Sequence, residues 1–206
     1  MSKTRILKLD HDSPDESAIE FAAELLRDGG LVAFPTETVY GIGANFLNKE
    51  TIKRLYEIKK RPLNKPFTVH ISSIDTVTNM GCDIPPIGER LINKFWPGPL
   101  TIILKSRTGN KIGFRMPKNR IAKDIISKSK VPVVAPSANI SGEKPPTGTE
   151  EILESLDGKI DLILDSGRTE FGAESTIVEL TGDSYRVLRE GAISKETVEE
   201  AAYKPE

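Results

Sequence analysis

The chain has 206 residues, 29 of them basic and 30 acidic, for a formal charge of −1, with 37% apolar and 29% charged side chains. That composition excludes the disordered, collagenous and membrane-spanning classes, since no run of about 18 apolar residues is present to cross a bilayer. At this length one large domain or two small ones can bury about 70% of the extended chain's surface, so folding needs no disulfide or metal staple.

The amino-terminal Met1-Ser2-Lys3-Thr4-Arg5 has none of the apolar character of a secretory signal, and the single cysteine, Cys82, rules out cysteine-built zinc sites. A cytoplasmic protein is expected. Residues 5–9 alternate like a strand, and Ser13-Pro14-Asp15-Glu16 then offers an N-cap, a first-turn proline and a capping-box glutamate. The helix this predicts carries the stripe Ala18, Ile19, Ala22, Leu25 and Leu26 and ends at Gly29-Gly30. A buried strand follows at 31–34. A second helix, capped by Asn48 and running to about Lys60, carries the stripe Ile52, Leu55, Tyr56 and Lys59 and is stopped by Pro62.

Period-two alternation over 67–71 puts Phe67, Val69 and Ile71 on one face of a strand and Thr68 and His70 on the other. Next come a helix over about 86–95, a strand over 100–105, and a turn at Thr108-Gly109-Asn110 into a strand over 112–116. Helix, strand, helix and strand then alternate over about 122–128, 131–135, 150–156 and 160–165. A hairpin joins 176–180 to 185–188, and a last helix spans about 195–202. Interleaved strands and helices with hairpins predict an α/β or α+β fold with a mixed sheet, and no linker or repeat divides the chain.

The densest cationic stretch is Lys53, Arg54, Lys59, Lys60, Arg61 and Lys65, offset by Glu57. A solvated helix face is one reading. Lys59 on an apolar stripe, and a following segment stiffened by Pro62 and Pro66, favour cations fixed on an anion such as a polyphosphate. The common phosphate loops are absent, and Gly41-Ile42-Gly43-Ala44-Asn45-Phe46 lacks the third glycine of a dinucleotide loop. Pro35-Thr36-Glu37-Thr38-Val39-Tyr40-Gly41-Ile42-Gly43 reads as a hydroxyl-rich loop at the carboxyl end of a strand: either a docking site or an ordinary turn. Ala135-Pro136-Ser137-Ala138-Asn139-Ile140-Ser141-Gly142 repeats the design and could hold a phosphate or a purine edge. A Ser137/His70 hydrolase dyad is disfavoured, because His11 and His70 are the only histidines and no Gly-x-Ser-x-Gly elbow exists. Arg115 in an apolar strand is either solvated or paired with a carboxylate, and Glu174-Ser175-Thr176 and Arg189-Glu190-Gly191 are either site elements or strand-end polarity.

Together the 35–41 motif, Lys59-Lys60-Arg61-Pro62 with Lys65-Pro66, Pro97-Gly98-Pro99-Leu100-Thr101, Arg115-Met116-Pro117, Pro136-Ser137-Ala138-Asn139, Ser175-Thr176 and Leu188-Arg189-Glu190-Gly191 resemble the YrdC-like family of L-threonylcarbamoyladenylate synthases. The resemblance runs from about residue 15 to residue 191 and implies one YrdC-like domain over 1–206: a twisted, mixed, open sheet flanked by helices, with a concave, positively lined cavity. It implies a nucleotidyltransferase that joins L-threonine, bicarbonate and ATP into threonylcarbamoyl-AMP and pyrophosphate, for the threonylcarbamoyl modification of adenosine in tRNA. Mg²⁺ is expected with the ATP, and a downstream threonylcarbamoyl-transfer complex as partner. On the family's pattern Lys59 and Arg61 are catalytic and, with Lys65, Lys111, Ser137, Asn139, Pro145 and Arg189, bind ATP. Thr38, His70, Arg115, Ala135 and Ser175 surround the threonine, with Arg115 taking its carboxylate in bidentate fashion. Lys65 and Lys111 depart from the pattern, which more often has asparagine and a small hydroxyl residue there. The resemblance also implies a synthase domain without the second domain of some longer relatives. The competing class is an RNA-binding module that lays its basic concave surface on tRNA or double-stranded RNA; near-zero net charge and 6% aromatic residues speak against it. A different acceptor on the same scaffold is the third reading.

Overall fold

The computed structural model describes residues 3–203. In chain order the elements are β1 (Arg5–Lys8), α1 (Glu16–Arg27), β2 (Val32–Phe34), β3 (Gly41–Asn45), α2 (Lys49–Lys59), β4 (Val69–His70), α3 (Asp75–Asn79), α4 (Pro86–Phe95) and β5 (Leu100–Lys105). They continue with β6 (Lys111–Arg115), α5 (Arg120–Ser129), β7 (Val133–Val134), α6 (Thr149–Leu156), β8 (Leu162–Asp165), β9 (Thr176–Thr181), β10 (Ser184–Arg189) and α7 (Lys195–Tyr203). The strands join edge to edge in the order β1-β8-β2-β3-β7-β4-β6-β5-β9-β10. β1 with β8, β2 with β8, β4 with β6 and β5 with β9 run parallel; the other neighbours run antiparallel, so the sheet is mixed as expected.

Side-chain alternation decides which helices cover which face. Val32 and Phe34 of β2, Val133 of β7, and Leu162 and Leu164 of β8 form one apolar cluster with α1 and α5. Ala33, Val134 and Ile163 point the other way, into a larger cluster built with α2, α4, α6 and α7. In β5, β6 and β9 the same alternation sends Leu100, Ile102, Leu104, Phe114, Val178 and Leu180 into the larger cluster. Thr101, Arg115 and Ile177 therefore face the opposite side, where α1 and α5 contribute no core contact with these strands among the described residues. Half the sheet has one open face, and the expected split of Val69 from Thr68 and His70 places those two polar residues on it.

Several expectations shift. The cap of α1 is Asp15, whose Oδ1 accepts from the Ser17 N–H at 2.8 Å, so Pro14 lies just outside the helix and Ser13 does not cap it. α3 was not foreseen, and β4 and β7 are shorter than their predicted runs. The largest difference is β3: residues 41–45, read as part of a loop, form a strand antiparallel to β2. Glycine weakens strand propensity, yet here it is required by close approach. A Cβ on Gly43 would lie 2.6 Å from the Phe34 ring.

Candidate active site

α2 begins where Asn48 Oδ1 accepts the N–H groups of Glu50 and Thr51, each at 3.1 Å. It ends at Lys60, a non-glycine residue in the left-handed conformation at φ 49°, two residues before the proline expected to stop it. Thr51, Leu55 and Lys59 make its buried stripe, so the last turn drives a lysine inward. Lys59 is only 2% exposed. Its Nζ donates to the carbonyls of Ser137 at 2.5 Å and Asn139 at 2.6 Å, and the Ser141 N–H returns a bond to the Lys59 carbonyl at 2.8 Å. An ammonium has three donors, and two are engaged here. Burial first, and the Arg61 charge second, push the Lys59 pKa down to about 8.

The loop that receives Lys59 is aligned by β3. Gly41 forms an isolated bridge with Ser137, the Ile42 N–H donates to the Pro136 carbonyl at 2.8 Å, and the Ala138 N–H donates to the Tyr40 carbonyl at 2.8 Å. The strand absent from the sequence reading is thus what docks residues 135–142 against the end of α2.

Around this junction lie two cavities. The larger, about 370 Å³, is lined by Lys59, Arg61, Lys65 and Arg189, by Ser137, Asn139, Ser141 and Pro145, and by the acids Glu143 and Glu174. The smaller, about 100 Å³, is lined by Thr68, His70, Thr101, Ala135 and Ser175, with Val39, Phe67 and Ile177 as apolar walls. Arg61, Ser137, Glu174 and Arg189 line both, so the two volumes adjoin. Arg61 is held in its own loop: Nε donates to the Lys65 carbonyl at 2.8 Å and Nη2 to the Pro66 carbonyl at 3.0 Å. Its guanidinium lies 5.2 Å from the centre of the Phe67 ring. Arg189 donates to the Ser175 carbonyl from Nε (3.1 Å) and Nη2 (2.8 Å), and its Nη1 pairs with Glu174 at 2.8 Å. Asn139 spends both amide hydrogens on the carbonyls of Ile140 and Glu143, leaving its buried Oδ1 without a partner, as is the Ser141 hydroxyl. Two orphaned polar atoms in a cavity lining call for a polar ligand.

His70 is buried, its Nδ1 3.4 Å from the Thr68 carbonyl. Desolvation, then the nearby Arg115 charge, lowers its pKa to about 3, so the ring is neutral at physiological pH. Ser175 Oγ and Thr101 Oγ1 share a hydrogen bond at 2.9 Å.

Of the residues expected to form the site, the structure gathers Lys59, Arg61, Lys65, Ser137, Asn139, Pro145 and Arg189 around the larger cavity and His70, Ala135 and Ser175 around the smaller. Three fall elsewhere. Lys111 stands at the opposite end of β6 from Arg115, with its ammonium paired to Glu179, and lines neither cavity. Arg115 and Thr38 are buried next to the smaller cavity without lining it. Arg115 sits in register beside His70, and its Nη2 donates to Glu37 at 2.7 Å and to Thr38 Oγ1 at 2.8 Å. Its charge is already matched by Glu37, itself 3% exposed, and with Nη2 engaged the expected bidentate grip through both terminal nitrogens is not available as the side chain stands. Of the cationic run, Arg54 pairs with Asp161 at 2.8 Å instead of facing the cavities. Ser141 belongs to the 135–142 loop expected to hold a phosphate or a purine edge, and Glu37 and Glu174 lie in segments that read either as site elements or as ordinary local polarity; Glu143 carries no signal in the sequence beyond polarity beside these residues.

Residues 24–191 match the family described as Telomere recombination, Sua5_yciO_yrdC. A threonylcarbamoyl-AMP synthase of Pyrococcus abyssi is 43% identical over 194 residues, covering 90% of this chain and 57% of that protein. One of Bacillus subtilis is 40% identical over 200 residues, covering 92% and 58%. The crystal structure of P. abyssi Sua5 complexed with L-threonine superposes with a TM-score of 0.91 at 40% identity, over 96% of this chain and 61% of that one. The chain thus spans somewhat over half the length of these relatives. Sequence and fold agree, and the chain belongs to the Sua5/YciO/YrdC family.

Proposed function

We propose that the chain is a threonylcarbamoyl-AMP synthase, joining L-threonine, bicarbonate and ATP with release of pyrophosphate, for threonylcarbamoylation of adenosine in tRNA in the cytoplasm. The observation that carries this reading is the adjoining pair of cavities, one lined by four cations and one by hydroxyls and a neutral histidine, with Arg61, Ser137, Glu174 and Arg189 shared between them. The larger falls in the usual volume range of small-molecule sites.

Threonine carbamate is an anion that must approach an α-phosphate within a polyanion, and like charges a few ångströms apart oppose that approach by several kcal/mol at an effective dielectric of about 20. Lys59, Arg61, Lys65 and Arg189 offset it. Lys59 and Arg61, fixed by backbone carbonyls before any ligand arrives, stabilise charge gathering on the departing pyrophosphate, an interaction that strengthens in the transition state. Asn139 Oδ1 and the Ser141 hydroxyl supply partners for nucleotide groups. In the smaller cavity the Ser175–Thr101 hydroxyl pair and neutral His70 address the threonine side chain. Hydrogen bonds to that hydroxyl discriminate against valine more strongly than one methyl discriminates against serine. Arg115 lies beside this cavity without lining it, and its Nη1 group, which makes no hydrogen bond among the described residues, becomes a donor for the amino-acid carboxylate only if the side chain shifts toward the cavity. Mg²⁺ comes as part of the MgATP substrate. Among the described residues no group of three or more histidine, cysteine or acidic side chains is placed to hold a metal.

Mixing the chain with ATP, L-threonine and bicarbonate is expected to give threonylcarbamoyl-AMP by mass spectrometry, with pyrophosphate release that needs both co-substrates. RNA binding indifferent to ATP, with no such product, would establish the binding module instead. A product that forms with another amino acid in place of threonine would establish the altered acceptor.

A further inference from the structure

The reaction assigned above needs a proton acceptor, because an α-amino group is mostly protonated at pH 7 and an ammonium has no lone pair with which to attack carbon. We propose, on the basis of that function, that Glu174 takes the proton from the α-ammonium of the bound amino acid. Glu174 is the one acidic side chain lining the smaller cavity among the described residues, and it also lines the larger, so it stands where amino acid, bicarbonate and nucleotide meet. One carboxylate oxygen, Oε1, is held by Arg189 Nη1 at 2.8 Å; Oε2 makes no hydrogen bond among the described residues and is open to a donor.

The alternatives in the smaller cavity are weaker. His70 is neutral but so poor a base that it binds a proton only near pH 3. Ser175 and Thr101 are hydroxyls bonded to one another. Glu174 is also rigidly mounted. Its carbonyl accepts the Ala192 N–H at 2.9 Å, and a Cβ on Gly191 would lie 2.2 Å from that carbonyl oxygen, so only glycine lets the end of β10 press against the Glu174-Ser175 peptide. Arg189 grips the next peptide along, through the Ser175 carbonyl. A carboxylate on a clamped peptide, with one oxygen anchored and one open, suits a positioned base.

The ammonium gives one proton to Oε2, and the freed nitrogen lone pair forms the N–C bond to the bicarbonate carbon. The C–OH bond breaks, and the hydroxyl leaves as water with the second amine proton. The proton on Glu174 then passes to solvent, leaving the carbamate anion to attack phosphorus.

The test is Glu174→Gln, with Glu174→Asp as the variant that keeps a carboxylate, both verified as folded by urea denaturation. The charged and titratable groups facing Glu174 are Arg189 from β10, Lys59 and Arg61 at the end of α2, His70 from β4, and Lys65 and Glu143 across the larger cavity. All remain in the variants. At about pH 7 we expect Glu174→Gln to lower kcat for threonine-dependent pyrophosphate release by about 100-fold, with KM for ATP changed by less than about threefold. The deficit should shrink at least about fivefold by about pH 9, where the amine sheds its proton unaided. Glu174→Asp should keep the pH profile of the unsubstituted chain. An equal deficit at every pH overturns the assignment, as does unchanged kcat with a lower KM for ATP, the signature of a residue that merely offsets the charge of Arg189. If the unsubstituted chain shows no threonine-dependent release, the synthase function falls and this assignment with it; if it does and Glu174→Gln matches it, the assignment alone falls.

Discussion

Lys59 and Arg115 are both cations sunk below the surface on the way to the same site, and their surroundings treat them in opposite ways. Arg115 meets a carboxylate: Glu37 lies at 2.7 Å, with Thr38 completing the contact. Lys59 meets only the carbonyl oxygens of Ser137 and Asn139, which carry partial charge, and no carboxylate lies within ion-pair distance of it among the described residues. The difference teaches what each can do. A buried ion pair projects little net charge and fixes local structure, whereas a buried ammonium matched only by dipoles keeps a positive charge available to an incoming anion. Its lowered pKa is the mark of that cost.

Three measurements break or sharpen this contrast. The largest effect expected is on stability at Glu37. Glu37→Gln removes the charge at nearly constant shape and leaves Arg115 buried without its partner, and a loss of about 3–5 kcal/mol in urea unfolding is expected. A loss under about 1 kcal/mol would show that Arg115 does not depend on the pair.

Lys59→Met should do the reverse. The two carbonyls lose their donor but the chain no longer buries an unneutralised charge, so stability should stay within about 1 kcal/mol while kcat falls about 10²–10³-fold. Activity within a few-fold of the unsubstituted chain would remove Lys59 from the catalytic set.

The smallest effect is the pH response. Folded Lys59 titrates near about 8, below the ordinary 10.5, so between those values the unfolded chain binds a proton that the folded chain does not. Stability therefore rises with pH across this window, by a contribution on the order of 3 kcal/mol at most, and nucleotide affinity falls as pH climbs through about 8. Comparing urea midpoints and nucleotide titrations at about pH 7 and pH 9 with those of Lys59→Met isolates this contribution. Identical slopes in both proteins would mean that Lys59 keeps its proton throughout.

Much of this was legible in the residues. Asn48 as a cap with Lys59 about three turns of stripe spacing later put the lysine on the inward face by helical geometry alone, and the period-two run around Val69 put Thr68 and His70 together on one side of the sheet. Both are local regularities, which sequence encodes directly. β3 was not legible, because Gly41 and Gly43 read as a turn until Phe34 and the 135–142 loop are known to lie against them. Lys111 was misplaced for a related reason. Its alternation puts it on the same face as Arg115, but the distance along the strand and the presence of Glu179 across the sheet are facts of pairing.

Apart from α3 and β3, the sequence by itself determined the elements, their inward faces and the family, since these follow from spacing, capping and motif order along a single chain. Only the tertiary structure decided which charges are matched and which are left open: that Glu37 occupies Arg115, that Glu174 stands between the cavities, and that Lys59 rests on two carbonyls. Electrostatic partnership depends on through-space distance between residues far apart in the chain, at a dielectric set by burial, and neither quantity exists until the strands have paired.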